Sequence, residues 1–109
     1  MRAGEASATA RRVAAQRLSF QRVATATGRP QDDQRLQADV ASGIEVRTTR
    51  MTLYLRARTA FFDRIVVESI DAGTDQVVVV GAGYDGRSLR YAKPGVRCRS
   101  VLEPASVYW

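Results

Sequence analysis

The stretch "VVVVGAGYDGRSL", residues 77–89, decides the fold. Val77–Val80 form an unbroken β-branched run, the pattern of a strand covered on both faces, as in a parallel sheet flanked by helices. The run passes directly into Gly81, Gly83 and Gly86, spaced G-x-G-x-x-G. Gly81 permits the tight turn out of the strand, and Gly83 lets the backbone approach a ligand with no Cβ in the way. The helix that follows aims its free amides and positive dipole end at the same point. This spacing is the dinucleotide fingerprint, but the fit to NAD or FAD is partial. A long helical segment precedes the strand, and Leu89 and Arg90 stand where close helix packing calls for a small residue. A plain tight turn is the alternative use of the three glycines.

Working outward from the loop, a long amphipathic helix is expected from about Arg47 to Ala72. Its apolar stripe is Met51, Leu55, Phe61, Phe62, Ile65, Val66 and Ile70, with Tyr54 and Ala57 between, which makes Phe61 and Phe62 core residues. Gly73 stands where a C-terminal glycine belongs. Further upstream, residues 7 to about 26 read as a helix ended by Gly28 and Pro30, and a weaker one runs from Asp32 or Asp33 to Ser42. Downstream come a short helix at 85–92, a turn at Pro94–Gly95 and a second strand at 96–101. The order gives an α/β fold: N-terminal helices, then the start of a doubly wound parallel sheet. It reads as one incomplete domain over 1–109, helical over 1–73, with strand, glycine loop, short helix and strand over 74–109.

The bulk numbers restrict the chemistry. At 109 residues the chain makes one domain or less. It contains no histidine, which removes the usual general base and most zinc sites, so no metal is expected. Cys98 is the single cysteine, which suits a reducing compartment, and the N-terminus lacks the apolar core of a secretory signal; the expected location is the cytoplasm. No run has the length of a membrane span. The net charge of +6 comes almost wholly from arginine, Lys93 being the one lysine. The arginines are scattered and none alternates with aromatic residues, which argues against a nucleic-acid platform.

Two stretches together resemble a family. "YLRARTAFFD" (54–63) is similar to the R-T-x-F-F-D segment of the leucine carboxyl methyltransferase-like family of S-adenosylmethionine (SAM)-dependent methyltransferases, mycobacterial type. "DQVVVVGAGYDGRSLRYAKPGVR" (75–97) resembles its Q-V-V-x-L-G-A-G-x-D-x-R-x-x-R loop, and "SATARRVAAQRL" (7–18) its opening T-A-x-x-x-A-x-x-R helix. The resemblance implies a Rossmann-like class I methyltransferase that transfers a methyl group from SAM to an unknown small-molecule or carboxylate acceptor. It implies that Arg58 holds the SAM carboxylate, and that Gly81, Ala82 and Gly83 pass close to its methionine and ribose. Asp85 would cap the short helix or order the loop, and Arg87 matches the family arginine, with a structural ion pair as its alternative. No catalytic residue is assigned, since methyl transfer rests mainly on positioning.

The resemblance breaks after the second strand. The family continues "GVRxFEVDHPAT", where the Asp grips the ribose hydroxyls; this chain reads "GVRCRSVLEPAS". Ser100 stands for the Glu, Leu102 for the Asp and Glu103 for the His. Glu103, one position off, faces the other side of a strand and serves the ribose only where the strand end twists or bulges. The sequence thus reads as the truncated N-terminal part of a methyltransferase, weakly active or inactive and binding SAM weakly or not at all. A non-catalytic interaction module is the alternative, self-associating through a bare sheet edge.

Overall fold

The computed structural model describes residues 8–80 and 85–101. Three helices come first: α1 (Ala8–Leu18), α2 (Pro30–Val40) and α3 (Arg50–Asp71). Strand β1 (Gln76–Val80), a single helical turn α4 (Arg87–Arg90) and strand β2 (Arg97–Val101) follow. The two strands pair in parallel, with Gln76 opposite Arg97 and Val80 opposite Val101. The chain is therefore α/β, with helices leading into a two-stranded parallel sheet. Helix α1 packs on α2 and α3, and α4 bridges α2 to β2. Among the described residues no helix is long and apolar enough to cross a membrane.

Local chemistry sets several boundaries. Thr49 precedes α3, and its N–H donates to Thr52 Oγ1 at 2.9 Å, one half of a capping box. At the other end Gly73 takes a φ of +108°, and the N–H groups of Gly73 and Thr74 close on the carbonyls of Ile70 and Ser69. The Pro94–Gly95 turn forms as expected, with the Val96 N–H on the Lys93 carbonyl at 3.0 Å.

Helix α1 ends at Leu18, not near residue 26. Ser19 and Phe20 donate back to the carbonyls of Gln16 and Arg17, and the chain turns to bury Phe20. An extended leg over 21–29 then crosses to α4, where the Val23 carbonyl accepts a 2.8 Å hydrogen bond from the Tyr91 hydroxyl. Pro30 starts a helix instead of ending one. It occupies the first turn of α2, where its missing N–H costs nothing, and Asp32 and Asp33 beside it favour the positive helix end.

The core is small, and polar side chains share it with apolar ones. Ala14, Ala15 and Ala41 make one apolar cluster, with Val40 and Ile44 against them, and Phe20, Ile70 and Tyr91 are buried as well. The largest fully buried side chains are Gln37, Asp33 and Asp63. Helix α3 buries Thr52, Thr59, Asp63 and Ile70, a stripe at helical spacing but mostly polar. Phe61 and Phe62 are not core: they are 55 % and 41 % exposed, and Met51, Tyr54 and Ile65 are exposed as well. The physical reason is that the inward face of α3 receives arginines, which only its polar residues can accept. The valine run is likewise not covered on both faces, for Val78 stands 59 % exposed on β1.

Gly28 marks where the extended leg meets α4. It has a φ of +93°, and a Cβ there would lie 2.2 Å from the Arg90 carbonyl oxygen. Gly95 has a φ of +87° but open space around it. Gly95→Ala is expected to cost about 1–2 kcal/mol, the penalty of the left-handed backbone alone. Gly28→Ala should cost at least about 1 kcal/mol more because of the backbone clash. Urea melts of the two variants check this; equal losses would contradict the close approach.

Candidate functional site

The site is built around two buried carboxylates. Asp63, on the inward stripe of α3, accepts a forked pair of hydrogen bonds from Arg22, Nε to Oδ2 at 2.7 Å and Nη2 to Oδ1 at 2.9 Å. Arg87 of α4 adds a third, Nε to Oδ1 at 2.8 Å. Asp33, in the first turn of α2, pairs with Arg90 Nε at 2.5 Å and Arg22 Nη1 at 3.4 Å, and its Oδ1 accepts from Gln37 Nε2 at 3.2 Å. Neither aspartate has exposed surface. Asp85, the first described residue after the loop, accepts the Arg87 N–H at 2.9 Å and pairs with the Arg87 guanidinium. Three arginines thus meet three aspartates, and the cluster is neutral as a whole. Buried charges persist only when paired and hydrogen-bonded in this way.

The electrostatics follow from this packing. Burial alone would raise the Asp63 carboxyl, but hydrogen bonds and charge from Arg22 and Arg87 outweigh it and hold the group below its ordinary 3.8. Burial opposes the charge on Arg22, yet the Asp63 carboxylate more than offsets it and raises the guanidinium. The Tyr91 hydroxyl is pushed well up, first by burial and then by the charge of Asp63.

The cluster joins the two sequence stretches that carry the resemblance. Arg87 reaches from the loop's exit to Asp63, to the Thr59 carbonyl at 3.3 Å and over the Phe62 ring at 5.9 Å. Arg58 lies over the same ring at 5.5 Å. Its guanidinium is exposed and forms no ion pair among the described residues. Asp85 orders the entry to α4 by an Asx-type hydrogen bond two residues on, and Gly86 is the helix cap. Gly81, Ala82, Gly83 and Glu103 lie outside the described residues. Among the described residues no group of three or more acidic, Cys or His side chains could hold a metal.

One residue escaped the sequence reading. Arg17, the closing arginine of the T-A-x-x-x-A-x-x-R helix, is half-buried at the end of α1. Its Nε is buried without a hydrogen bond among the described residues. Burial lowers its pKa, and the charge of Asp85 only partly restores it. With Arg22, Gln34, Gln37 and Arg90 it lines a cleft of about 200 Å³, and Asp33 pairs with Arg22 and Arg90 beside it. The arginine in the helix motif was the available signal.

Comparison with known proteins bears on the family. The family model described as leucine carboxyl methyltransferase matches residues 2–103. A relative from Mycobacterium ulcerans (strain Agy99), named "Putative S-adenosyl-L-methionine-dependent methyltransferase", is 44 % identical over 50 residues, 46 % of this chain and 16 % of the relative. Relatives of the same name from Mycobacterium avium (strain 104) and Mycolicibacterium paratuberculosis (strain ATCC BAA-968 / K-10) are 39 % and 40 % identical over 56 and 53 residues. Those matches cover 51 % and 49 % of this chain, and 18 % and 17 % of the relatives. The matched segment therefore spans about one-sixth of the curated relatives. No solved structure matches.

Asp63→Asn should cost about 3–5 kcal/mol at neutral pH, because two guanidiniums lose their buried anion. Since the native carboxyl sits below 3.8, its contribution is full above that value and is lost as pH falls through the native pKa. Urea melts of both proteins should therefore differ by a constant amount from pH 5 to 7 and converge only below the ordinary Asp range. A gap that closes already near neutral pH would contradict the assignment.

Proposed function

The chain belongs to the leucine carboxyl methyltransferase family, and on that premise we propose that it forms the SAM-facing N-terminal part of a methyltransferase. The observation that carries this reading is the clamp of Arg87 on Asp63. It fixes the exit of the glycine loop against the helix that bears Arg58, so that the family's two motifs act as one unit. The relatives are named as SAM-dependent, and the family uses that cofactor. Gly81, Ala82 and Gly83 would give the methionine and ribose a close backbone surface. Asp85 keeps the loop exit ordered through Arg87.

Two guanidiniums that the family motifs carry, Arg58 and Arg17, are candidates to meet the SAM carboxylate. Arg58 is exposed above Phe62, and Arg17 is half-buried and unspent. Arg17 is the stronger candidate, because a carboxylate would satisfy a buried donor that otherwise goes unpaired. When bound, SAM supplies an electrophilic methyl group. The chain's own residues contribute its binding and orientation, which is where the rate of such a transfer arises. Glu103 is the remaining acid for the ribose, and the acceptor is a small molecule or a carboxylate.

A SAM titration of the purified chain, followed by amide NMR shifts, tests this reading. Binding is expected near the millimolar range, about 4 kcal/mol, with shifts concentrated over 81–87. Arg17→Gln should weaken SAM at least tenfold and leave decarboxylated SAM unaffected. Absence of shifts at these residues would contradict the cofactor site, and equal weakening of both ligands would contradict the role of Arg17.

A further inference from the structure

A second concavity lies on the far side of α1. It has a volume of about 600 Å³, within the range of small-molecule sites. Val13 of α1, Ile44 and Val46 of the connecting segment, and Met51 and Leu55 of α3 form its apolar lining. The wall over residues 43–47 is held at both ends. Arg11 donates to the carbonyls of Val40 and Ser42, at 3.2 and 2.5 Å. The Arg47 carbonyl accepts from Gln16 Nε2 at 3.0 Å and Thr52 Oγ1 at 3.2 Å. The groove is thus preformed by backbone-directed hydrogen bonds.

Its charge is specific. Arg12 and Arg47 also line it, both exposed, and neither forms an ion pair among the described residues. Glu45 lines it too and neutralises neither of them by contact. A groove with an apolar strip, two guanidiniums and one carboxylate on its lining has a net positive charge, which complements an unbranched apolar chain that ends in one anionic group. From this complementarity we infer that the groove binds a monomeric fatty-acid carboxylate, with the chain along Val13, Ile44 and Val46 and the head group at Arg12 and Arg47. This site is separate from the SAM-facing cluster, and its test does not depend on methyl transfer.

The full chain is titrated with decanoate below its micelle concentration and, separately, with 1-decanol, each followed by amide NMR shifts. Decanoate should shift residues 12–16 and 44–47 and bind at least tenfold more tightly than decanol. The double variant Arg12→Gln/Arg47→Gln, altered only at exposed positions, should abolish that preference and leave decanol binding unchanged. Val46→Asp, also at an exposed position, should weaken both ligands. Equal affinity of the wild-type chain for decanoate and decanol would overturn the proposal, as would shifts confined to other residues. Groove shifts that appear with phosphatidylglycerol vesicles but not with free decanoate would assign the surface to membranes and overturn it equally.

Discussion

Asp63 has no exposed surface, and its charge depends on the side chains packed against it. Its two oxygens take three hydrogen bonds from two guanidiniums, one arriving from the leg between α1 and α2 and one from α4. Removing any partner leaves a buried charge uncompensated, so the segments that carry those partners are bound to one geometry. Asp33 repeats the device one layer away, tying α2 to α4 and to the same Arg22. An ion cluster thus joins these segments beside their apolar contacts, and the cost of desolvating its charges offsets much of what the pairing contributes.

That placement matters for chemistry because Arg87 sits at the exit of the glycine loop. Under the proposed function the glycine loop approaches the cofactor with its backbone, and such a loop needs a fixed point on each side. Strand β1, paired with β2, is one, and the contact of Asp85 and Arg87 with Asp63 is the other. Arg87 also shares the Phe62 ring with Arg58, so the ion cluster and the Arg58 side chain meet on one residue of α3. Phe62 is the exposed apolar side chain of α3 that the arginines cover, whereas Met51, Tyr54, Ile65 and Val78 stand exposed without such a contact among the described residues.

How much of this was legible in the sequence depends on how local each cause is. The β-branched run, Gly73 and the Pro94–Gly95 turn act through their own backbone or immediate neighbours, and the structure forms them where the sequence pattern puts them. The end of α1 was not legible, because it is set by the burial of Phe20 and the reach of Arg22 to residues 11 and 41 positions away. The inward face of α3 was misjudged for a related reason. Periodicity assigns the apolar side chains inward, whereas the arginines that meet this helix come from distant segments and select Thr59 and Asp63. Of the residues singled out by motif, Asp85 pairs with Arg87 and Arg58 lies over Phe62. Arg17 carries a motif signal too, but the burial of its Nε depends on distant segments and is not legible in the local sequence.

The central claim is that Asp63 and Arg87 are energetically coupled and that this coupling fixes the loop's exit. A double-mutant cycle on Asp63→Ala and Arg87→Ala, read by urea melts at neutral pH, measures the coupling directly. The account predicts an interaction energy of about 1–3 kcal/mol, together with loss of amide exchange protection at Arg87 in either single variant. Additivity within about 0.5 kcal/mol, with the Arg87 amide still protected when Asp63 is gone, would contradict it.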